Sequence, residues 1–386
     1  MNYKKESIEL EYYIKEGISP VHYKLKNINK HFEIRKSLYR LLGLIPSFMF
    51  KKDILEVAPG SGHNSIYTAS LLPKNYDLVE PNPNGCRDIK NLFKQIKIKH
   101  TKPNLHELPL DDYSKKKLYD LVITEGWPGG HLKYDRKMLK KLSGFVKPGG
   151  LLFITYYPPI GGVSTYLRRL IGNRLISKKD NLKIKTDILK KSFSSHLLKM
   201  KSMTRSHEHW IQDSLLNPYI VVGYNTPLIS TKIFGNKFEI YSSVPKFTND
   251  WRWYKSLHGQ NKKFNKAFFK DYFSISHNMI DYKIEGLKRS ELKNKKLEKL
   301  CINLSILTKD YESGGVEIYK KKIRPIVKKI INNLKGDIPL RTVRGLEEAD
   351  KILLKKKITT EDVKFMKYFS NLFRREQCYL SFSKND

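Results

Sequence analysis

Asp53-Ile-Leu-Glu-Val-Ala-Pro-Gly-Ser-Gly-His63 is an apolar run that carries an acid and breaks into a turn of small residues. Asn64-Ser-Ile-Tyr-Thr-Ala-Ser-Leu-Leu72 follows and reads as a helix. The order is strand, tight turn, helix N-terminus. Gly60 and Gly62 can take backbone angles closed to other residues, and without a Cβ they let a ligand come close to the main chain. A dinucleotide-binding turn needs three glycines spaced G-x-G-x-x-G. This loop reads E-x-A-x-G-x-G instead, with Glu56 on the strand, and the acid counts against a phosphate ligand.

Outward from the loop, Tyr76-Asp-Leu-Val-Glu80 ends a second strand in another acid, placed where a carboxylate can accept hydrogen bonds from ribose hydroxyls. Pro81-Asn-Pro-Asn-Gly85 then forces a turn. The spacing predicts a helix over 86–95 and a short third strand over 96–100, followed by Pro103-Asn-Leu-His-Glu-Leu-Pro109. Leu118-Tyr-Asp-Leu-Val-Ile-Thr124 is nearly continuous in apolar character, as a buried parallel strand requires. At its end stands Glu125-Gly-Trp-Pro-Gly-Gly-His131, where an open α/β sheet binds its ligand. A Lys-Pro-Gly-Gly turn at 147–150 feeds a fifth strand ending near Thr155.

These features, in this order, resemble the class I S-adenosylmethionine-dependent methyltransferases over about residues 50–157. The first motif of that family reads approximately acid-x-Gly-x-Gly-x-Gly, so Ala58 stands where the first glycine is usual. The resemblance implies S-adenosyl-L-methionine as cofactor, held by Glu56, Ala58, Gly60, Ser61 and Gly62 of the loop and by Glu80 and Pro81 at the ribose. Asn104 and Leu105 fall at the adenine position, and Glu125 and Trp127 at the mouth of the fourth strand. The Asp/Asn-Pro-Pro-Tyr/Phe motif of many base N-methyltransferases is absent, with Glu125-Gly126-Trp127-Pro128 in its place. That departure disfavours a nucleobase or amide nitrogen as methyl acceptor.

The implied fold is α/β, a seven-stranded, mostly parallel doubly wound sheet with a large helical insertion and C-terminal region. The chain divides into an N-terminal helical cap (1–49), a methyltransferase domain (50–244) with a lid insertion at 158–235, a helical accessory region (245–376) and a C-terminal strand (377–386). The cap contains a helix-like stretch over 23–42. Residues 161–171 and 181–203 read as basic amphipathic helices of the kind that cover a site. The terminal Gln377-Cys-Tyr-Leu-Ser-Phe-Ser383 alternates and is β-prone, which predicts an antiparallel strand returning to the sheet.

The net charge of +36 points toward an anionic partner, nucleic acid or a membrane surface. Lys outnumbers Arg about four to one, however, whereas site-specific phosphate recognition favours Arg forks. Cys86, Cys301 and Cys378 lie far apart and form no metal spacing, which fits a reducing, cytoplasmic setting. No apolar run of about 18 residues occurs, so no membrane span is expected.

A sulfonium methyl is already activated, so an enzyme using it must hold the acceptor in line and, for a hydroxyl, remove a proton. His131, His207 and Asp213 are the candidate bases. His207 and His209 are two positions apart and face different sides of a helix, so no metal site is expected there. Trp251, Arg252, Trp253 and Tyr254 form an aromatic cluster that serves either packing or stacking on sugars or bases. The reading is methyl transfer to oxygen or nitrogen of a small-molecule or carbohydrate acceptor, as in cell-surface polysaccharide or secondary-metabolite biosynthesis. Its rival is an RNA methyltransferase or nucleic-acid-binding protein that docks through the basic helical region.

Overall fold

The computed structural model describes residues 8–19, 27–114, 116–126, 132–200, 203, 205–218, 226–249, 253, 255, 264–309, 311, 315–375 and 377–386. Its sheet has seven strands: β1 (Asp53–Val57), β2 (Asn75–Val79), β3 (Asn104–His106), β4 (Tyr119–Thr124), β5 (Val146–Tyr156), β6 (Phe238–Val244) and β7 (Cys378–Lys384). Their order is β3-β2-β1-β4-β5-β7-β6. The first five run parallel, whereas β7 is antiparallel to both β5 and β6. This is the mostly parallel doubly wound sheet that the sequence implies, with the C-terminal strand inserted between its neighbours. Strand order reverses between β1 and β4, so the crevice for a ligand opens beyond their carboxyl ends.

Ile54 and Leu55 of β1 and Leu121 and Val122 of β4 are fully buried, because both faces of the sheet are covered. Among the described residues, six α-helices lead through the chain up to β5: α1 (Ile8–Lys15), α2 (Ile28–Leu41), α3 (Pro46–Met49), α4 (Ser65–Ser70), α5 (Pro83–Gln95) and α6 (Leu132–Gly144). Asn27 caps α2 by accepting from the Lys30 N–H, and Asn82 caps α5 with Pro83 in the first turn. Tyr39 of α2 meets Tyr67 and Phe153 edge to face at 5.2 and 5.9 Å, in a core that also takes Ile54, Tyr76, Leu78 and Leu121. The cap helix is thus seated on the sheet.

The third strand lies at Asn104–His106 and not over 96–100. Pro103 cannot donate a ladder hydrogen bond, so pairing with β2 starts only after it. The residues before it are tied elsewhere: Thr101 donates its N–H to Ala69 O and its hydroxyl to Pro73 O.

The chain forms two compact units, one of residues 1–156, 225–269 and 378–386, the other of residues 157–224 and 270–377. The first holds the sheet. The described part of the second is helical, and α7 (Pro159–Gly172) lies at its heart, against the helix Glu291–Lys309. All fourteen residues of α7 are buried, Arg168 and Arg169 included. The segment 161–171, read as a basic amphipathic helix of the kind that covers a site, is a helix buried on every side, whose arginines bond main-chain carbonyls: Arg168 those of Ser164 and Phe369, Arg169 that of Asn217. After it come α8 (Leu182–Leu197), capped by Asn181, and α9 (His207–Ile211), capped by Ser206.

Candidate functional site

The turn after β1 departs from ordinary backbone at three residues. Ala58, Gly60 and Gly62 have φ of 56°, 61° and 75°, the left-handed region. Glycine is needed at 62 on a second count, since a Cβ there would stand 2.8 Å from Ile89 Cγ1 of α5. Ala58 occupies the same kind of backbone with a methyl group, and its N–H bonds Val79 O to join the loop to β2. Ser61 Oγ bonds His63 Nδ1 at the end of the loop.

Glu80 follows β2 and is buried against that loop. One carboxylate oxygen accepts the Gly60 N–H and the other the Asn82 N–H, each at 2.8 Å. Burial pushes its carboxyl up to about 7; the two N–H bonds oppose the shift and nearby Glu56 adds to it. A carboxylate has about four lone-pair sites, so a diol can still be accepted beside the glycine backbone. Pro81 comes next and is half-buried. Asn82, through its side-chain amide, donates to Ile18 O of the N-terminal segment at 3.0 Å.

Glu56 points from β1 into the same buried zone and accepts the Tyr76 hydroxyl. Burial raises its carboxyl to about 7; the Tyr76 bond and Arg35 work the other way, and Glu125 adds to the rise. Glu125 follows β4 and is held by Arg35 of α2 through two bonds of 2.7 Å, one to each oxygen, while Asn64 Nδ2 donates to Oε1 at 3.2 Å. Arg35 is missing from the set that the sequence suggests. Burial works most strongly against its charge, but Glu125 and Tyr39 together outweigh it and hold the guanidinium above its ordinary value. The available signal was its position four residues from both His31 and Tyr39, on one stripe of a helix that carries aromatic residues.

The remaining residues fall in several places. Leu105 pairs with Leu78, and Asn104 with Asp77, whereas His106 pairs with Val79 and accepts the Glu80 N–H on its carbonyl. His106, two residues beyond Asn104, is thus the β3 residue level with the carboxyl edge, and its ring bonds Asp77 at 2.8 Å. Trp127 and His131 lie outside the described residues, as does most of the aromatic cluster at 250–254. His207 and Asp213 belong to the helical unit. There His207 Nδ1 bonds Ser194 Oγ at 3.0 Å, and burial, with Lys190 adding, lowers its pKa. Asp213 forms an ion pair with Arg205 at 2.8 Å.

Among the described residues no group of three His, Cys, Asp or Glu side chains could hold a metal ion, and no helix is long and apolar enough to cross a membrane. The sheet unit therefore gathers Glu56, the 58–63 turn, Glu80 and Glu125 from the carboxyl ends of β1, β2 and β4. Such a set suits a ligand with a vicinal diol and positive charge.

No family model matches the chain, and no curated protein does. Solved structures do. The chain is similar to a methyltransferase candidate from Thermoplasma acidophilum, with 24% identity over 28% of this chain and 44% of that one and a TM-score of 0.24. It therefore spans less than half the length of that relative. It is also similar to magnesium protoporphyrin IX methyltransferase from Synechocystis, solved with bound S-adenosylmethionine (14% identity, 41% of this chain, 79% of that one, TM-score 0.32). The N-methyltransferase NodS from Bradyrhizobium japonicum is a third (16% identity, 36% and 74%, TM-score 0.29). At identities and TM-scores this low the likenesses carry no argument, and the fold rests on the strand order itself. The sheet is that of a Rossmann-like, class I methyltransferase-like fold.

Proposed function

We propose that this protein is an S-adenosylmethionine-dependent methyltransferase that transfers a methyl group to oxygen or nitrogen of a small-molecule or carbohydrate acceptor. The observation that carries the reading is Glu80, buried at the end of β2, bonded to the Gly60 and Asn82 N–H groups and placed beside the turn after β1. In this reading Glu80 accepts the ribose hydroxyls. Gly60 and Gly62 let the cofactor lie against the main chain, and Glu56 and Glu125 offer negative charge to its methionine end. His106 at the edge borders the adenine, with Asn104 and Leu105 behind it on β3, and Trp127 joins the set by sequence alone.

When bound, the cofactor supplies an activated methyl on a sulfonium. The chain has to hold the acceptor in line with the S–CH3 bond, exclude water and, for a hydroxyl acceptor, take a proton. Glu125 is poorly suited to the last task because both its oxygens are engaged by Arg35. His131, His207 and Asp213 stay the proposed bases. Of these, His207 has its pKa lowered and is neutral at pH 7, the state a base requires. Asp213 would have to act from within its Arg205 ion pair.

Nucleic-acid docking through the helical insert gains no support from the charge distribution. The excess of Lys and Arg is divided almost evenly between the two units and is not concentrated in the helical one. The test is methyl transfer from labelled cofactor into fractionated small molecules, carbohydrates and RNA. Label in a compact acceptor supports the proposal, label in RNA favours an RNA methyltransferase, and label in no fraction counts against both of these and leaves the nucleic-acid-binding reading as the rival.

A further inference from the structure

The residues before the first strand touch three of the loops that make up the candidate cofactor edge. Ile18 O accepts the Asn82 side chain in the turn after β2. His31, Arg35 and Tyr39 follow at four-residue intervals, so they share one face of α2. His31 Nε2 lies 2.9 Å from His63 O at the end of the glycine turn. Arg35 grips Glu125 after β4, and the Tyr39 hydroxyl bonds Thr68 Oγ1 of α4 at 2.8 Å.

Arg35 ties this face together. Its guanidinium gives both terminal nitrogens to Glu125, one of them also to the Tyr39 hydroxyl at 3.2 Å, and sits 5.0 Å from the centre of the Tyr39 ring. Of the ion pair, the carboxylate is the more open member, with side-chain exposure of 11% against 5% for the guanidinium. A two-point fork fixes the plane of a carboxylate, which a single ammonium cannot do. With Asn64 on Oε1 as a third contact, the Glu125 headgroup has one orientation, and of its roughly four lone-pair sites one, on Oε2, is left for a ligand.

We propose that Arg35 is a positioning residue of the cofactor site: from the N-terminal helix it fixes the Glu125 carboxylate toward the cationic methionine end of the cofactor. This rests on the methyltransferase reading above. The alternative, an ion pair that merely fastens α2 to the sheet, predicts different behaviour. A buried pair exchanged for apolar residues of similar volume is often neutral for stability, whereas loss of one partner is not.

The experiment compares the parental protein, Arg35→Lys and the double variant Arg35→Met/Glu125→Leu, by melting temperature and by calorimetric titration with S-adenosylhomocysteine. Arg35→Lys keeps the charge and leaves Glu125 in place but gives up the fork; it should melt near the parental temperature and bind about tenfold more weakly. The double variant should also melt near the parental temperature and lose at least as much affinity. Parental affinity in either folded variant overturns the positioning role. Absence of binding by the parental protein overturns the methyltransferase reading, and this proposal with it.

Discussion

Arg35 in the sheet unit and Arg168 in the helical unit are both buried, with exposures of 4% and 1%, yet their surroundings differ in kind. Arg35 faces a carboxylate at the carboxyl end of a strand. Arg168 bonds main-chain carbonyls and lies over the rings of Phe369 and Phe373, with its carbon centre 4.6 and 4.2 Å from theirs. Burial lowers its pKa to about 9, and Arg374 adds to that effect. Arg35 is thus paired through directed bonds that orient a carboxylate, whereas the Arg168 cation is absorbed into packing.

The largest effect expected from this contrast is on stability. Arg35→Met leaves Glu125 without its counter-ion and should cost about 3–5 kcal/mol. Arg168→Met strands no carboxylate, and Phe369 O keeps its bond from the Leu372 N–H, so the loss is that of the ring contacts, about 2 kcal/mol or less. Urea titrations of the two variants check the order; an Arg168→Met variant at least as unstable as Arg35→Met breaks the comparison.

Acids extend it. Burial raises Glu56 and Glu80 at the sheet edge to about 7, and Glu298, bonded to Tyr272 in the helical unit, to about 7 as well. A carboxyl raised on folding keeps its proton in the native chain while the unfolded chain has already lost it. Its contribution is therefore complete below about pH 4.5 and is withdrawn as pH climbs to about 7, roughly 3 kcal/mol per group. Glu56→Gln and Glu298→Gln should each flatten the fall in stability between those limits. Only Glu56→Gln should also change affinity for S-adenosylhomocysteine. Equal affinity in both would place Glu56 with the packing residues.

The smallest effect concerns the turn itself. Ala58 in the left-handed region costs about 1–2 kcal/mol, against about 0.4–1 kcal/mol that a glycine adds to the entropy of the unfolded chain. Ala58→Gly should accordingly stabilise by up to about 1.5 kcal/mol, read as a higher melting temperature. A lower one would mean that the methyl group makes contacts worth more than its strain.

What the sequence disclosed and what it hid divide along the same line. The turn after β1, the acid that closes β2 and the Lys-Pro-Gly-Gly turn before the body of β5 are local: glycine conformations, proline and apolar runs specify them within a few residues. The returning strand β7 was legible too, because its alternation is local even though its partners are not. Arg35 was not, since helical periodicity names an apolar face and cannot say which polar residue will meet an acid ninety residues away. Nor was the level of β3, where pairing with β2 brings His106 to the edge and leaves Asn104 two residues short. The buried course of α7 was hidden for the same reason, because Arg168 and Arg169 find their carbonyls only after distant helices assemble.

The central claim is that the edge built from Glu56, the 58–63 turn, Glu80 and Glu125 holds S-adenosylmethionine. Calorimetric titration of the full chain with S-adenosylhomocysteine, beside Glu80→Ala, tests it most directly. One molecule should bind per chain, and the variant should bind more weakly by about 1.5–3 kcal/mol, the range for hydrogen bonds to a charged group. No binding to the parental chain, or undiminished affinity in a folded Glu80→Ala protein, would contradict it.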